Sequence, residues 1–316
     1  MNGEATRMDN SGVYALTLTP YNEDLTIDFS AYEAYIEMQA AQKPRRIFCN
    51  CGSSEMALQT AEERLQLASA TVKRAGGIEV FATGNLEPTR KAQIAEIHAL
   101  EEAGCSGIVL VTNGLADDPG ALLEEMHTLI DSTVLPVMLY EFPGRRPHIL
   151  PTDAFAKLAA TGRVCAVKDT TCTMLGIEDK IAAAADTPCA VLQANIPFLQ
   201  DAYISGAQGI CGTPTTVAPG LFVRHWEAFA AGKQEESQRL FEKILCLDFA
   251  LLEGYNVSAK YLARLLALRF PEFRRRAFSA ACLRRGGNSL TNAQKRALEN
   301  WFKFAIDNEI LQNFSN

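Results

Sequence analysis

The stretch GIVLVTNGLADDPGALLEEMHTLIDSTVLPVMLY, at residues 107–140, contains one complete unit of strand, helix and strand. It begins with the apolar run GIVLV, continues with a helix-patterned segment at residues 120–132, and ends with a second apolar run, PVMLY. Two short β-favouring runs separated by a helix predict parallel strands, because a parallel pair needs a crossover long enough to hold a helix. This stretch therefore predicts a βαβ unit.

The same unit recurs along most of the chain. The centres of the β-favouring runs lie about 32 residues apart at first and nearer 20 apart at the end. The runs are VYALTL, RIFCN, IEVFAT, GIVLV, PVMLY, VCAVK, CAVLQ and GICG. Eight such units favour a closed (β/α)₈ TIM barrel over an open doubly wound sheet. After about Gly232 only helix-patterned segments remain. We therefore expect a catalytic barrel at residues 1–232 and a helical extension, packed on the barrel, at residues 233–316.

Composition excludes several classes of function. The chain has 316 residues and a net charge of -7, which gives no overall attraction to nucleic acid or to an anionic membrane. No apolar run approaches the roughly 18 residues that span a bilayer, and the N-terminus lacks the pattern of a secretory signal. We expect a cytoplasmic protein that binds neither nucleic acid nor membrane.

The cysteines and histidines do not have the spacing of a metal site. Cys49 and Cys51 form the tightest pair, but no second pair accompanies them and the four histidines lie far apart. Two buried thiols explain this pair better than a metal does. We expect neither a metal nor a cofactor.

Two of the predicted strands end in residues with reactive side chains. PVMLY ends in Tyr140 and VCAVK ends in Lys168, one unit later, so both side chains should come from adjacent strands at the active end of a barrel. A lysine amine in a dry site can attack a ketone and form an iminium, and a neighbouring phenol can move the proton. The alternative is that Lys168 pairs with Asp169 or a facing acid, and that Tyr140 is a packing residue.

Several motifs in order resemble a known family. They are TPYNED at residues 19–24, NCGSSE at 50–55, TAEE at 60–63, ATGN at 82–85, EEAGCSGIVLVT at 101–112, LYEFPGR at 139–145, AVKDTT at 166–171 and SGAQGICGTPTTVAP at 205–219. Together they resemble the class I aldolases typified by dihydrodipicolinate synthase and N-acetylneuraminate lyase. The resemblance covers the whole predicted barrel. It implies that Lys168 is the Schiff-base lysine and that Tyr140 is the catalytic tyrosine.

The resemblance also implies a set of binding residues. The hydroxyl and amide groups of the CGSSE loop would hold a substrate carboxylate, so Gly52 and Ser54 are candidate binding residues and Ser53 a candidate proton partner of Tyr140. Cys211 occupies the last-strand position whose carbonyl faces the catalytic site. Arg145 corresponds to an arginine that clamps a distal carboxylate in some members.

Each of these positions has a plainer alternative. CGSSE can be an ordinary turn, and Arg145 can be a solvated loop residue. The turn at residues 209–212, with the TPTT that follows, can instead be a phosphate cradle, although a tight approach of the last strand to Lys168, as the resemblance implies, is preferred.

Three departures separate this chain from the named branches. Leu115 stands where the synthase branch has a relay tyrosine from a neighbouring subunit. Glu141 replaces a common asparagine beside the active tyrosine. Ala194 and Asn195 change the pocket floor.

The reading that follows is a lyase of aldolase type acting on a small 2-oxo acid, such as pyruvate or a 2-keto-3-deoxy sugar acid. The alternatives are a dehydratase that uses the same iminium, and a non-catalytic descendant that binds an oxo acid or sugar acid. The resemblance further implies a homo-oligomer, expected to be a tetramer.

Overall fold

The strands form a closed barrel. The computed structural model describes residues 9–112, 119–144, 149–252, 254–269 and 289–305. Parallel strands close in the order β1 to β8, which confirms the predicted (β/α)₈ barrel. Their bounds are β1 Gly12–Leu16, β2 Arg46–Cys49, β3 Glu79–Thr83, β4 Gly107–Val111, β5 Val137–Tyr140, β6 Val164–Asp169, β7 Ala190–Gln193 and β8 Gly209–Ile210.

A helix follows each strand, and further helices follow the last unit. Their bounds are α1 Phe29–Ala41, α2 Ala61–Arg74, α3 Arg90–Glu102, α4 Pro119–Asp131, α5 Thr152–Ala159, α6 Met174–Ala184, α7 Leu199–Ser205, α8 Pro219–Ala230, α9 Gln234–Leu251, α10 Tyr255–Ala267 and α11 Asn292–Ala305. The predicted helical extension is therefore present as α9 to α11. Within the described residues, no helix is both long and apolar enough to cross a membrane.

Burial explains why the strands are apolar throughout rather than alternating. Every residue of β1, β4 and β6 is buried, as expected for a parallel sheet that is covered on both faces. Several helices, α1, α2 and α6 among them, begin at side-chain caps. At α2, for example, the Thr60 amide donates to Glu63 Oε2 over 2.9 Å and the Glu63 amide donates to Thr60 Oγ1 over 3.2 Å.

The chain packs as two compact units. One holds β4 to β8 with α3 to α7. The other holds β2, most of β1 and β3, α1 and α2, and the helices from α8 onward. The two strand ends that carry Tyr140 and Lys168 belong to the first unit, and the CGSSE loop belongs to the second.

Candidate active site

Tyr140 and Lys168 lie side by side at the ends of β5 and β6. The two residues are register partners in the parallel ladder, as expected from their spacing of one unit. The Lys168 ammonium nitrogen lies 4.2 Å from the centroid of the Tyr140 ring, within the range of a cation–π contact. Each residue is only 4% exposed. The structure thus brings an amine and a phenol together in a nearly dry site.

A register shift makes this pairing possible. Val137 pairs with Val164, but Met138 pairs with Ala166, so β6 contains one more residue than β5 at this point. Bulges of this kind occur next to active sites, where they redirect a side chain. Without the extra residue, Tyr140 would pair with Val167. The shift therefore places Lys168 beside the tyrosine.

A buried ionic cluster follows the two strand ends, and we call Glu141, Asp169 and Lys180 the carboxylate–lysine cluster. Lys180 projects from α6, and its ammonium nitrogen lies 3.0 Å from Glu141 Oε1 and 3.5 Å from Asp169 Oδ1. All three residues are buried. One ammonium thus bridges the carboxylates that come directly after Tyr140 and Lys168 in the chain.

Hydrogen bonds hold each carboxylate of the cluster in place. The Leu150 amide donates to Glu141 Oε1 over 2.9 Å. Gln193 Nε2 donates to Asp169 Oδ2 over 3.1 Å. Burial raises the pKa of Glu141 to about 7, while the Lys180 charge and the Leu150 amide act in the opposite direction. Burial therefore outweighs the two opposing contacts, and the charged form of Glu141 is less favoured in the cluster than it is in water.

Lys180 was not predicted from the sequence, although a signal for it exists. In α6 the buried positions are Ile177, Lys180 and Ala184, which share one face at helical spacing. A lysine on the apolar face of a helix is rarely buried without a partner. That position points to an acidic partner, and Glu141 is the residue that departs from the family pattern.

The CGSSE loop forms a short 3₁₀ turn after β2, at Gly52–Ser54. The Ser54 hydroxyl is used within the turn, since it accepts from the Cys51 amide and donates to the Cys51 carbonyl, each over 2.8 Å. Ser53 is 4% exposed, and its hydroxyl oxygen accepts a hydrogen bond of 2.9 Å from Tyr255. The loop is thus a structured turn in which Ser53 has a phenol as its partner.

A second buried ion pair fixes the residue after this turn. Glu55 has a left-handed backbone, with φ of 62°. Its Oε1 lies 2.7 Å from the Lys260 ammonium nitrogen, and both residues are buried. Lys260 belongs to α10, as does Tyr255. Helix α10 therefore contacts the loop through two polar side chains, neither of which was predicted from the sequence.

The start of β8 closely approaches the start of β1. A Cβ atom at Gly209 would lie 2.0 Å from the Gly12 carbonyl oxygen, so only glycine fits there. Cys211 is buried, and its amide donates to the Gln193 carbonyl over 2.9 Å. The Thr215 hydroxyl is engaged locally, since it donates to the Gly212 carbonyl over 2.7 Å. These contacts join β8 to β1 and β7, so the expected approach of this strand to Lys168 stays a prediction.

Two positions singled out in the sequence are not described. Arg145, the candidate carboxylate clamp, and Leu115, which stands in place of the relay tyrosine, both lie outside the described residues. Glu141 is described, and its partner is Lys180. Its role in the structure is therefore within the carboxylate–lysine cluster.

Comparison with known proteins gives a consistent result. A sequence model of the Dihydrodipicolinate synthetase family matches residues 9–280. The 4-hydroxy-tetrahydrodipicolinate synthase of Gluconacetobacter diazotrophicus is 25% identical over 268 residues, which cover 83% of this chain and 89% of the relative. The N-acetylneuraminate lyase of Rhizobium meliloti is 27% identical over 235 residues, with coverage of 74% and 77%.

A solved structure shares the fold. It is a prophage protein of the dihydrodipicolinic acid synthase family from E. coli K12, crystallised in complex with pyruvate. It superposes with a TM-score of 0.81 at 19% identity, covering 93% of this chain and 98% of the other. Because the family pattern spans most of the sequence and the curated relatives are enzymes, this chain belongs to the dihydrodipicolinate synthetase family and has a function of the lyase or aldolase type.

Proposed function

We propose that the protein is a Schiff-base lyase of aldolase type that acts on a small 2-oxo acid through Lys168. The observation that carries this proposal is the pairing of Lys168 and Tyr140 on adjacent strand ends, with the amine 4.2 Å from the phenol ring and both residues almost fully buried. The attack on a ketone uses the neutral form of the amine, and the proposal takes that form of Lys168 as the reacting one.

The reaction begins with a covalent bond between lysine and substrate. The neutral Lys168 amine attacks the keto carbon, and the carbinolamine loses one water to give an iminium. The iminium withdraws electrons from the neighbouring carbon, so a bond from that carbon can break or form. Hydrolysis then returns the amine and releases the product. The iminium itself is the electron sink, so this chemistry requires no metal ion or cofactor.

Tyr140 moves the protons of this sequence. It protonates the carbinolamine oxygen as water leaves, and it exchanges a proton with the substrate when the neighbouring bond changes. We assign Ser53 as the hydroxyl that passes protons in the same reaction. Gly52, Ser54, Cys211 and Arg145 complete the proposal as substrate-binding positions, with Arg145 for a second, distal carboxylate.

The substrate class rests on the chemistry and on one relative. An amine with a phenol suits a 2-oxo acid, and pyruvate is bound in the prophage protein that shares this fold. Pyruvate or a 2-keto-3-deoxy sugar acid is therefore the proposed substrate. The proposal also includes a cytoplasmic location and assembly as a homotetramer, which light scattering at micromolar concentration tests.

Covalent trapping tests the proposal directly. Incubation with pyruvate and borohydride should add one reduced pyruvyl group per chain, at Lys168 in a peptide map. Lys168→Met should abolish the adduct. Lys157→Met is the matched control, because Lys157 is exposed on α5, and it should trap as the wild type does. The proposal is wrong if no 2-oxo acid of a panel forms an adduct, or if the adduct maps to another lysine.

The products separate the two enzymatic alternatives. A lyase releases pyruvate from a 2-keto-3-deoxy sugar acid, whereas a dehydratase releases water and keeps the carbon chain intact. A protein that traps pyruvate but turns over neither kind of substrate fits the non-catalytic descendant.

A further inference from the structure

The hydroxyl of Tyr255 has an unusual set of neighbours. Tyr255 is the first residue of α10. Its oxygen lies 2.9 Å from Ser53 Oγ, 3.0 Å from the Thr213 carbonyl oxygen and 3.3 Å from Thr216 Oγ1. The phenol thus has three possible acceptors within hydrogen-bond distance, the Ser53 hydroxyl, the Thr213 carbonyl and the Thr216 hydroxyl, but only one proton to give.

The hydrogen bond between the two hydroxyls runs from the phenol to the serine. Because the phenol donates to Ser53, the serine keeps its own proton to give elsewhere. The oxygen of the phenol can in turn accept a proton. A group that passes protons needs this ability to both donate and accept.

Exposure differs between the two residues. Ser53 is 4% exposed, whereas Tyr255 is only partly buried. Of the two residues, Tyr255 is therefore the one that solvent reaches.

Helix α10 is held firmly against the loop that carries Ser53. Besides the Tyr255 contact, the Lys260 ammonium binds Glu55, two residues after Ser53, over 2.7 Å. The same ammonium lies 4.8 Å from the centroid of the Tyr21 ring. Two contacts on successive turns of one helix fix the position of the phenol relative to the serine, as a relay requires.

We propose that Tyr255 is a proton-relay residue that exchanges protons between Ser53 and solvent. In each step the Tyr255 hydroxyl gives its proton to Ser53, Ser53 gives its own proton to the site, and the Tyr255 oxygen takes a proton from water. No electrons move, and the net change is one proton between the site and solvent. This inference rests on the proposed function, in which Ser53 passes protons during reaction at Lys168.

The test uses NMR to measure the exchange of the pyruvate methyl protons with D₂O. This exchange requires both formation of the iminium and transfer of a proton. Tyr255→Phe should slow exchange about tenfold. This is less than the hundredfold or more that a lost general acid or base typically costs, because water partly replaces the phenol. The matched control is Tyr261→Phe, on the same helix, whose hydroxyl binds Glu299 over 2.7 Å; it should exchange at the wild-type rate.

A double variant and a rescue distinguish the relay from a structural contact. Because Tyr255 acts through Ser53, adding Tyr255→Phe to Ser53→Ala should slow exchange no further. Tyr255→His should recover part of the rate, since an imidazole can both donate and accept.

Each remaining outcome contradicts either the relay alone or the relay together with the proposed function. If Tyr255→Phe matches Tyr261→Phe, if the two losses multiply, or if Tyr255→His recovers nothing, the relay is wrong, while trapping of pyruvate by the wild type leaves the proposed function intact. If the wild type neither traps pyruvate nor exchanges its protons, both fail together.

Discussion

Replacing Lys180 by Met is expected to destabilise the protein strongly. The methionine side chain keeps most of the packing of the lysine stem, but Glu141 and Asp169 are left buried without the ammonium that lies 3.0 and 3.5 Å from their oxygens. Removing one partner of a buried ion pair costs about 3 to 5 kcal/mol. With an unfolding entropy of about 2.1 cal/mol/K per residue, a chain of 316 residues should lose about 5 to 8 °C in Tm.

The loss should depend on pH in a defined direction. Burial already holds the pKa of Glu141 at about 7 in the presence of Lys180, whose charge lowers it. Without Lys180 the pKa of Glu141 rises further, so Glu141 takes up a proton more readily. The proton neutralises one of the two carboxylates that are left without a partner. The destabilisation relative to the wild type should therefore be smaller at pH 6 than at pH 8.

Urea denaturation and calorimetry of matched variants measure both effects. Lys157→Met removes an exposed lysine from α5 and should stay within about 0.5 kcal/mol of the wild type. Lys180→Met combined with Glu141→Gln removes one of the stranded charges and should recover part of the stability. The carboxylate–lysine cluster does not stabilise the fold as argued if Lys180→Met unfolds at the wild-type denaturant concentration. The same conclusion follows if the double variant is less stable than Lys180→Met alone.

Three further predictions concern the site and the barrel. Tyr140→Phe should lower turnover by about a hundredfold or more, while trapping of pyruvate becomes slower but is still detected. Ser53→Ala should lower turnover by a smaller factor. If Tyr140→Phe traps pyruvate and turns over substrate at wild-type rates, Tyr140 is a packing residue. Because the pKa of Glu141 is raised from 4.5 to about 7, the unfolded state loses this proton first and the free energy of unfolding falls as pH rises across that range. In urea titrations at a series of pH values, Glu141→Gln should reduce the dependence of the unfolding free energy on pH. An unchanged dependence on pH would contradict the prediction. Gly209→Ala should abolish soluble expression or lower Tm sharply, since its Cβ would meet the first carbonyl oxygen of β1 at 2.0 Å; Gly220→Ala, with its nearest contact at 3.3 Å, is the tolerant control, and equal Tm values would refute the clash.

The fold and the central pair of the site could be predicted because they depend on local pattern. Parallel strands between helices leave a repeated signal, and a barrel concentrates its reactive side chains at the strand ends. Tyr140 and Lys168 follow from that rule alone. The register shift that places them side by side could not be predicted, since nothing in VCAVK marks the extra residue of β6.

Contacts between distant segments account for what the sequence did not predict. Tyr255 and Ser53 are separated by 202 positions, and Lys260 and Glu55 by 205. Neither periodicity nor a motif links such residues. Lys180 differs, because its place on the buried face of α6 could have indicated an acidic partner.

A chain truncated after Gly232 would keep Glu55 and lose Lys260. The loop that carries Ser53 would then lose both of its contacts from α10. The helices after α8 share one compact unit with β2 and α2. Shortened versions of this protein that end after α8 should therefore be recovered as aggregates, and a chain break between α8 and α9 should be poorly tolerated.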